Sequence, residues 1–508
     1  MSSFIPYWNG VAIPRQSVPV TAYATFSEVM RIMISEGARV LAYFVAPRSK
    51  SDEFQLFALL HTGETTLEIG STIIGQCFDS LAADIPQLQL FEREIAEQYG
   101  LEPLGHPWLK PVRFHASWRT GADVWHRPAG HPSVGEMAYY HVTGHDIHEV
   151  AVGPVHAGVI EPGHFRFQCY GEEVLHLEIS LGYQHRDAER LIERNGVSTL
   201  SLWQAQTLAG DTTIGHGTAW CALVEALSHA EISPRAATIR AIALEFERLA
   251  NHVGDIGALA GDVGFLPVAS FNGRLRGDYL NLTAALCGNR FGRGLLRPGG
   301  VQHDISDGLA GTILATLSTV GRDTHGSLDL FFETPSVLGR LERVGVVSEH
   351  AARELGLVGM AARASGIRGD ARSDFPLYES MRLQAGEAAT ASGGDVFARA
   401  SIRQQEITTS LKRIEGALQK LPGGALCVAD APLILQPEQI ACTLVEGWRG
   451  VVVHVGLTDE HGKWARYKVV DPSFHNWSGL AMALRNEEIS DFPLCNKSFN
   501  LSYCGHDL

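Results

Sequence analysis

The segment SPRAATIRAIALEFERLANHVGDI, residues 233–256, decides the fold of this chain. Its apolar residues recur every three or four positions, the period of one face of an α-helix, and a Ser-Pro pair at the start is typical of a helix N-terminus. The apolar face consists of Ile239, Ile242, Phe246, Leu249, Val253 and Ile256. A stripe of this length must pack on other helices, so we predict a helical core around it.

Other elements extend outward from this helix. A second helix carries Ile407, Leu411, Ile414 and Leu418 on one face and is stopped by LPGG at 421–424. Alternating residues predict one hairpin over 165–181 with its turn at Gly171, and another over 450–470 with its turn at 459–462. Residues 39–45 (RVLAYFV) and 54–60 (FQLFALL) have the composition of strands.

These elements predict an α+β protein. Residues 1–125 form a small α+β domain, and residues 126–508 form a larger, mainly helical domain with hairpins at its edges. The boundary is expected in the Gly-, Pro- and His-containing stretch 119–132, which has loop composition.

Composition excludes several classes of protein. The formal net charge is −15, and no basic run offsets it, so nucleic acid is not an expected partner. No stretch approaches 18 uninterrupted apolar residues, and the start MSSFIPYWNG lacks the features of a signal peptide, so a cytoplasmic chain is expected. The eight cysteines include no CxxC pair, which indicates free thiols, most of them buried.

Five motifs carry a resemblance to a known family. They are FEREIAEQYGLEPLGHP at 91–107, GPVHAGVIEPGHFRF at 153–167, GYQHRDAERLIE at 182–193, RASGIRGDARSDFP at 363–376 and DPSFHNW at 471–477. The first alone could also be a solvated helix face. In this order, together with the long helix, they resemble a fusion of the small peripheral-arm subunit of complex I with the large subunit shared by complex I and group 4 nickel-iron hydrogenases, the hydrogenase-4-like class.

The sequence departs from the hydrogenase pattern where the metal would bind. That pattern has two CxxC pairs, because four thiolates hold the nickel and iron. Here LAGDTTIGHGTAW at 208–220 places Ala209 and Thr212 at the first pair, and SFNLSYCGHDL at 498–508 places Ser502 and Gly505 at the second. No metal is therefore expected. A residual site formed by His164, Asp211, Cys504 and His506 is the alternative, although these residues lack any standard ligand spacing.

The chain also ends where the hydrogenase C-terminal extension would be cut, so no metal-insertion step is expected.

The resemblance also implies site residues. His156 and Asp262 match a His and an Asp of the complex I quinone cavity, and they could form a proton-transferring pair. The family's quinone Tyr has no counterpart in 208–213. Glu161 matches a Glu that relays protons in hydrogenases, and Arg449 matches the Arg that faces the iron ligands. Structural alternatives are a loop histidine for His156, a helix-end residue for Asp262 and a surface acid for Glu161.

The expected catalytic residues are thus His156, Glu161, Asp262 and Arg449. His156 and His164 are expected to face a quinone, and His185 and Arg186 the 4Fe-4S cluster of a partner subunit, where a cation raises the cluster potential. Arg363 and Arg372 could instead tie down their own loop by pairing with acids such as Asp370 and Asp374.

Two functions remain open at this point. The first is a subunit of a membrane-bound, complex I-like oxidoreductase that passes electrons to a quinone or similar acceptor and couples this transfer to ion translocation. In this interpretation the chain holds no nickel-iron centre and no other cofactor of its own. The second is a catalytically silent coupling subunit of a proton-translocating complex. Both imply an iron-sulfur small subunit and antiporter-like membrane subunits as partners, with the chain held at the cytoplasmic face of the membrane. Nicotinamide binding is not expected, because no Gly-rich strand-to-helix turn is present.

Overall fold

The structure is a computed structural model that describes residues 2–48, 53–127, 133–156, 160–383, 386–428 and 433–508. Residues 128–132 of the expected domain boundary and residues 157–159 of the quinone-type loop lie outside these ranges.

The N-terminal part combines an antiparallel sheet with two helices. Its elements are β1 (Phe4–Tyr7), β2 (Ile13–Pro14), β3 (Val20–Thr21), α1 (Tyr23–Ser35), β4 (Arg39–Pro47), β5 (Phe54–Thr62), β6 (Thr66–Ile74), β7 (Cys77–Asp79), α2 (Gln89–Tyr99) and β8 (Glu102–Leu104). The strand order is β1-β6-β5-β4, with β3 parallel to β6. Both predicted strands are confirmed as β4 and β5. They are buried along nearly their whole length, as expected for apolar runs covered on both faces.

Helix α2 carries the first family motif and is not a solvated helix. It ends at Gly100, whose φ of 65° is the left-handed conformation that glycine adopts readily at a helix end. Its acidic residues Glu92, Glu94 and Glu97 are all buried. The Glu97 carboxylate accepts hydrogen bonds from the backbone N–H groups of residues 112–114. The motif therefore fixes the chain that follows it.

The second part begins with a small sheet and continues mainly as helices. Its elements up to residue 419 are β9 (Ile147–Val152), β10 (His164–Tyr170), β11 (Glu173–Ser180), α3 (Ala188–Asn195), α4 (Thr199–Ala205), α5 (Thr213–Ser228), α6 (Pro234–Asp262), α7 (Leu266–Cys287), β12 (Leu296–Arg297), β13 (Gly300–Val301), α8 (Asp307–Glu333), α9 (Pro335–Leu341), α10 (Glu349–Glu354), α11 (Gly359–Ala364), α12 (Ala371–Asp374) and α13 (Val396–Gln419). The predicted hairpin is confirmed as β10 and β11, with Gly171 at φ 59° in the turn, and β9 adds a third strand.

Helix α6 is the long helix predicted from its apolar stripe. The Ser233 hydroxyl accepts a hydrogen bond from the N–H of Ala236 and caps its first turn, and every residue of the stripe is buried. Helix α6 packs against α7, α13 and α5. The second predicted helix, α13, is longer than its stripe and ends before residues 421–424. None of the helices in the described ranges has both the length and the apolar character needed to cross a bilayer.

The C-terminal part contains β14 (Gln439–Glu446), β15 (Val451–Thr458), β16 (Trp464–Val470), α14 (Pro472–Ala483), α15 (Phe492–Phe499) and α16 (Tyr503–Asp507). Strands β15 and β16 confirm the predicted hairpin, and β14 and β2 extend its sheet. This sheet does not lie at the edge of the protein, because α5 packs on β14 and β15 while β16 contacts β4. All residues of β15 are consequently buried.

The two predicted domains share a hydrophobic core. One cluster of buried side chains joins N-terminal residues such as Phe57 and Phe91 with Val453 and Phe474 of the C-terminal part. The pairing of β2 with β14 adds a backbone link between the same regions. Packing is therefore continuous from the N-terminal sheet to β14, β15 and β16.

Buried charges reinforce this contact. Lys468 of β16 lies 2.7 Å from Glu94 of α2 and 3.0 Å from Glu189 of α3. Arg466 lies 2.7 Å from Glu189 and also donates a hydrogen bond to Gln98 of α2. These side chains are almost completely buried, so each charge depends on its partner.

We predict that Arg466→Met lowers the free energy of unfolding by about 3 to 5 kcal/mol, because it leaves the Glu189 carboxylate partly uncompensated in the interior. Arg274→Met is the matched control, since Arg274 is 52% exposed and pairs with Asp278 at the surface, where an ion pair contributes about 1 kcal/mol or less. Urea unfolding of both variants measures the difference. Equal decreases in the free energy of unfolding of the two variants would contradict the interpretation that Arg466 compensates the buried charge of Glu189.

Candidate functional site

Four segments meet near the C-terminus and form what we call the Asp211–Arg449 site. The loop before β10 contributes Glu161, the loop before α5 contributes Asp211 and Thr212, the turn before β15 contributes Arg449, and the start of α16 contributes Ser502 and Cys504. The Glu161 carboxylate accepts a hydrogen bond from the backbone N–H of Cys504 at 3.3 Å. Arg449 contacts both Asp211 and the backbone carbonyl of Asn500.

The centre of the site is a bidentate ion pair. Two nitrogens of the Arg449 guanidinium lie 2.6 and 2.8 Å from the two carboxylate oxygens of Asp211. The guanidinium also stacks on the ring of Trp448 at 3.9 Å. Burial alone would raise the pKa of Asp211, but the charge and hydrogen bonds of Arg449 outweigh it and hold that pKa below its ordinary value. The carboxylate is therefore ionised at neutral pH.

The donor groups here do not fit a nickel-iron centre. The positions of the four expected sulfur ligands are occupied by Ala209, Thr212, Ser502 and Gly505, none of which carries sulfur. The thiol of Cys504 lies 3.4 Å from the Ser502 hydroxyl, and burial together with the neighbouring Glu161 raises its pKa to about 11. A nickel-iron centre requires several thiolates, and among the residues of this site only Cys504 carries sulfur.

The alternative metal site is not assembled either. His164 bonds to the carbonyl of Gly153, and His506 bonds to its neighbour Asp507. In the part of the chain that the structure describes, no group of three or more His, Cys, Asp or Glu side chains is arranged to hold a metal ion.

His156 and Asp262 lie in separate environments. Nε2 of His156 is 2.9 Å from the carbonyl oxygen of Gly163, so this ring closes its own loop. Asp262 lies at the exposed end of α6. Within the described ranges no hydrogen bond or ion pair joins the two residues. His252, ten residues before Asp262 on the same helix, bonds instead to Glu406 at 2.6 Å.

His185 and Arg186 lie at the C-terminal turn. Nδ1 of His185 is 2.8 Å from the carbonyl oxygen of Asp507, and the backbone N–H of Arg186 donates to the carbonyl of Leu508. Burial, and then the neighbouring ring of His115, lowers the pKa of His185 to about 4, so the ring is neutral at neutral pH. Arg186 is exposed, and its guanidinium donates hydrogen bonds to the carbonyls of Thr207 and Leu208.

Arg363 and Arg372 do tie their loop to its acids. Both pair with Asp370, at 3.4 and 2.8 Å. Asp374 has a different role, because its carboxylate accepts the backbone N–H of Asp370. The two arginines also reach the buried carboxylate of Glu406 on α13, so the loop is fixed to the helical core.

Sequence reasoning missed a buried chain of hydrogen bonds beneath the site. Asp471 lies 2.9 Å from Nε2 of His216, Nδ1 of His216 lies 3.0 Å from Nε2 of His454, and Nδ1 of His454 lies 2.7 Å from the Tyr467 hydroxyl. Burial, and then the neighbouring His216, lowers the pKa of His454 well below its ordinary value, so this ring is neutral. With the His454 ring neutral, a proton arrangement that runs from Tyr467 toward the Asp471 carboxylate satisfies all three bonds. His216 lies 238 residues before His454, so the motifs that contain His216 and Asp471 did not show that these side chains meet.

Glu247 is a second residue that sequence reasoning missed. Its carboxylate accepts hydrogen bonds from the backbone N–H groups of Ile214 and Gly215, at 2.7 and 3.1 Å, and so caps α5. Burial raises its pKa to about 8, and the negative charge of Asp211 adds to the effect. The pKa values of Asp211 and Glu247 therefore differ widely although the two carboxyls are close together. Such a difference is typical of proton-transfer sites in which one group acts as acid and the other as base. The position of Glu247 beside the apolar stripe of α6 gave no sign of this.

Comparison with known proteins gives consistent matches. Residues 262–444 match the family described as "Respiratory-chain NADH dehydrogenase, 49 Kd subunit". The chain is 30% identical over 438 residues to formate hydrogenlyase subunit 5 of Escherichia coli, covering 84% of this chain and 76% of that protein. It is 28% identical to hydrogenase-4 component G of the same organism, covering 84% and 75%. It is also 28% identical to NADH-quinone oxidoreductase subunit 4 of Thermus thermophilus, covering 67% and 89%.

We predict that Asp211→Asn destabilises the chain by about 3 kcal/mol, because it leaves the buried Arg449 guanidinium without its counter-charge. Asp262→Asn is the control, as this carboxylate is exposed and makes no ion pair within the described ranges; its effect should stay within about 0.5 kcal/mol. Thermal unfolding of the purified variants provides the measurement. A neutral Asp211→Asn would mean that Arg449 finds another partner.

A pH dependence follows from Glu247. A carboxyl whose pKa is higher in the folded than in the unfolded chain binds an extra proton when folded, so its contribution to stability falls as pH rises from about 4.5 to about 8. Glu247→Gln should remove this slope, which amounts to at most about 1.4 kcal/mol per pH unit for one proton. Urea unfolding from pH 5 to pH 8 tests it, with Glu173→Gln at the exposed start of β11 as control. Parallel pH profiles for the wild type and Glu247→Gln would show that Glu247 is ionised throughout.

Proposed function

Because the chain belongs to the large-subunit family shared by complex I and group 4 hydrogenases, we propose that it is the electron-transfer subunit of a membrane-associated oxidoreductase complex and that it works without a nickel-iron centre. Its relatives are subunits of complex I-like and hydrogenase-4-like complexes. In this proposal the chain passes electrons from a partner's iron-sulfur cluster to a quinone or similar acceptor.

The ion pair of Asp211 and Arg449 carries the proposal. In the hydrogenase pattern the arginine faces a metal centre surrounded by thiolates, and these thiolates provide negative charge. Here Asp211 lies between the two positions of the first missing pair and supplies a carboxylate to the same arginine. A buried guanidinium requires such a partner, so the pair supports a site that keeps its charge balance without sulfur or metal.

Glu161 supports proton transfer at this site. Reduction of a quinone consumes protons as well as electrons, so a proton donor close to the acceptor is required, and a carboxyl can serve as one. Glu161 is half-buried and hydrogen-bonded to the backbone of Cys504, at the margin of the site. In this proposal it exchanges protons between solvent and the acceptor.

The proposed partners follow from the same family membership. An iron-sulfur small subunit would contact the surface that carries Arg186, whose charge is exposed near the C-terminal turn. Antiporter-like membrane subunits would hold the chain at the cytoplasmic face of the membrane and would couple electron transfer to ion translocation.

A catalytically silent coupling subunit is the second candidate. The buried charges of Glu94, Lys468, Glu189 and Arg466 connect the N-terminal part to the core and favour it. Such a network transmits displacement between regions without any redox step, because its partners cannot separate without leaving buried charges unpaired. The absence of the family Tyr from 208–213 points the same way.

The deciding experiment uses the intact complex, purified and assayed for metals and for quinone reduction. We predict sub-stoichiometric nickel, and a turnover at least about 100-fold lower for Glu161→Gln, since a general acid-base group contributes roughly 100- to 10,000-fold. Glu173→Gln, at the exposed start of β11, should leave the turnover unchanged.

Three outcomes would count against the proposal in different ways. One nickel per chain would overturn the metal-free site. Full turnover in Glu161→Gln would show that this carboxyl does not exchange protons with the acceptor. Inactivity of the wild-type complex toward every quinone, with all of its partner proteins still bound, would favour the silent coupling role.

A further inference from the structure

A separate cavity of about 160 Å³ lies where the N-terminal part meets β11 and α14. Its walls include Leu90 and Arg93 of α2, Trp108, and Trp477 and Ala481 of α14. None of the residues that define the Asp211–Arg449 site lines it. The cavity therefore belongs to the contact between the two halves of the chain.

The size and walls of the cavity suit one six-membered ring. An apolar cavity of about 150 Å³ in another protein is large enough to hold benzene. The rings of Trp108, Phe114 and Trp477 line this cavity, together with the apolar side chains of Leu90 and Met137. Aromatic walls favour a flat ring over a branched aliphatic group.

Several polar groups in the walls have hydrogen-bonding capacity left over, and one of them is the buried hydroxyl of Ser180. The indole N–H of Trp477 is buried and has no acceptor within the described ranges. Two nitrogens of Arg93 donate to the carbonyls of Lys110 and Pro111, while its third nitrogen, Nη1, has no hydrogen-bond partner there. The carboxylate of Glu178 also lines the cavity, but it pairs with Lys110. Burial lowers the pKa of Arg93 to about 10, so it stays charged at neutral pH.

A fully buried donor without a partner, such as the Trp477 N–H, is destabilising and rare in folded proteins, whereas Arg93 is only half-buried. An oxygen acceptor inside the cavity would satisfy the Trp477 N–H and the free nitrogen of Arg93. A purely apolar occupant would not.

We propose that this cavity binds a single planar six-membered ring carrying a carbonyl or carboxylate oxygen. The ring packs among Trp108, Phe114 and Trp477, and the oxygen accepts hydrogen bonds from Trp477 and Arg93. A quinone headgroup is one such ring, and an aromatic carboxylate is another. A role for this ring as the electron acceptor rests on the proposed function, whereas its binding does not.

The cavity is also close to the Asp211–Arg449 site. The ring of Trp477 packs against Tyr503 at a centroid distance of 4.9 Å, and Tyr503 immediately precedes Cys504. A ring bound against Trp477 would therefore be separated from the site by one aromatic side chain.

Calorimetric titration of the full-length chain tests the binding with three probes of similar size: benzamide, benzoate and toluene. Benzamide and benzoate should bind at least 10-fold more tightly than toluene, because only they carry an acceptor oxygen. If benzoate binds more tightly than benzamide, the natural ligand is an aromatic carboxylate paired with Arg93. If benzamide binds more tightly than benzoate, the natural ligand is a neutral carbonyl compound. Equal binding of toluene, or no binding of any probe, would overturn the proposal.

Two variants localise the binding. Ala481→Leu fills the cavity and should abolish binding of all probes, while Trp477→Phe removes the N–H and should weaken benzamide and benzoate about 10-fold without affecting toluene. Met482→Leu, next to Ala481 but not lining the cavity, is the control and should bind as the wild type does. Thermal unfolding checks that each variant is folded. If Ala481→Leu does not fold, the comparison of probe binding between Trp477→Phe and Met482→Leu decides whether the cavity is the binding site. Unchanged binding in Trp477→Phe would overturn the assignment.

A reductase assay of the complex separates this proposal from the proposed function. Loss of quinone reduction in the Ala481→Leu complex, with benzamide binding also lost, would support the cavity as the acceptor site. Unchanged reduction in that variant would refute the acceptor role and leave the electron-transfer proposal intact.

Discussion

Compensation of buried charge is the constraint on which this structure depends. The carboxylate of Glu406 on α13 is surrounded by Arg363, Arg248, Arg372 and His252, all buried in the helical core. An isolated ion in such surroundings is far less stable than in water, so each of these groups requires the others to be in place. The contacts join α6, α13 and the loop at 363–374. These segments must therefore assemble together, and the apolar stripe of α6 alone would not set their relative positions.

The same constraint unites the N-terminal part with the rest of the chain. The acidic residues of α2 are enclosed by cations from elsewhere in the sequence, with Glu94 against Arg113 and Lys468. Apolar packing between the N-terminal sheet and β14, β15 and β16 surrounds this charged centre. Ion pairs enclosed in this way are weak sources of net stability, but they penalise any arrangement in which the partners are separated. The consequence is a single relative position of the two halves.

Charge compensation also explains the chemistry available at the Asp211–Arg449 site. Arg449 is 5% exposed and so requires a permanent counter-charge. Asp211 supplies it, and the nearby Glu247 has a raised pKa, first because it is buried and further because a second carboxylate beside Asp211 would add negative charge. Below them, the chain from Tyr467 through His454 and His216 ends at the ionised Asp471. The site is therefore suited to holding and moving protons, and within the described ranges it offers no set of thiolates for a soft metal.

Some properties of this protein follow from its sequence alone. The helices α6 and α13, the two hairpins and the strands β4 and β5 were predictable because their period and caps are local signals. The order of the motifs identified the family, and the missing cysteines showed that this chain departs from the hydrogenase pattern. Other properties were decided by tertiary structure. The acids of α2 read equally well as a solvated face, because their partners Arg113 and Lys468 come from other segments. The hairpin of β15 and β16 was expected at an edge and lies inside, because the N-terminal sheet covers it. His156 faces its own loop, and Asp211 meets Arg449 across more than two hundred residues. Periodicity reports which face of an element is apolar, but the partner of a buried charge is chosen by the fold, since two charges attract at short distance whatever their separation in sequence.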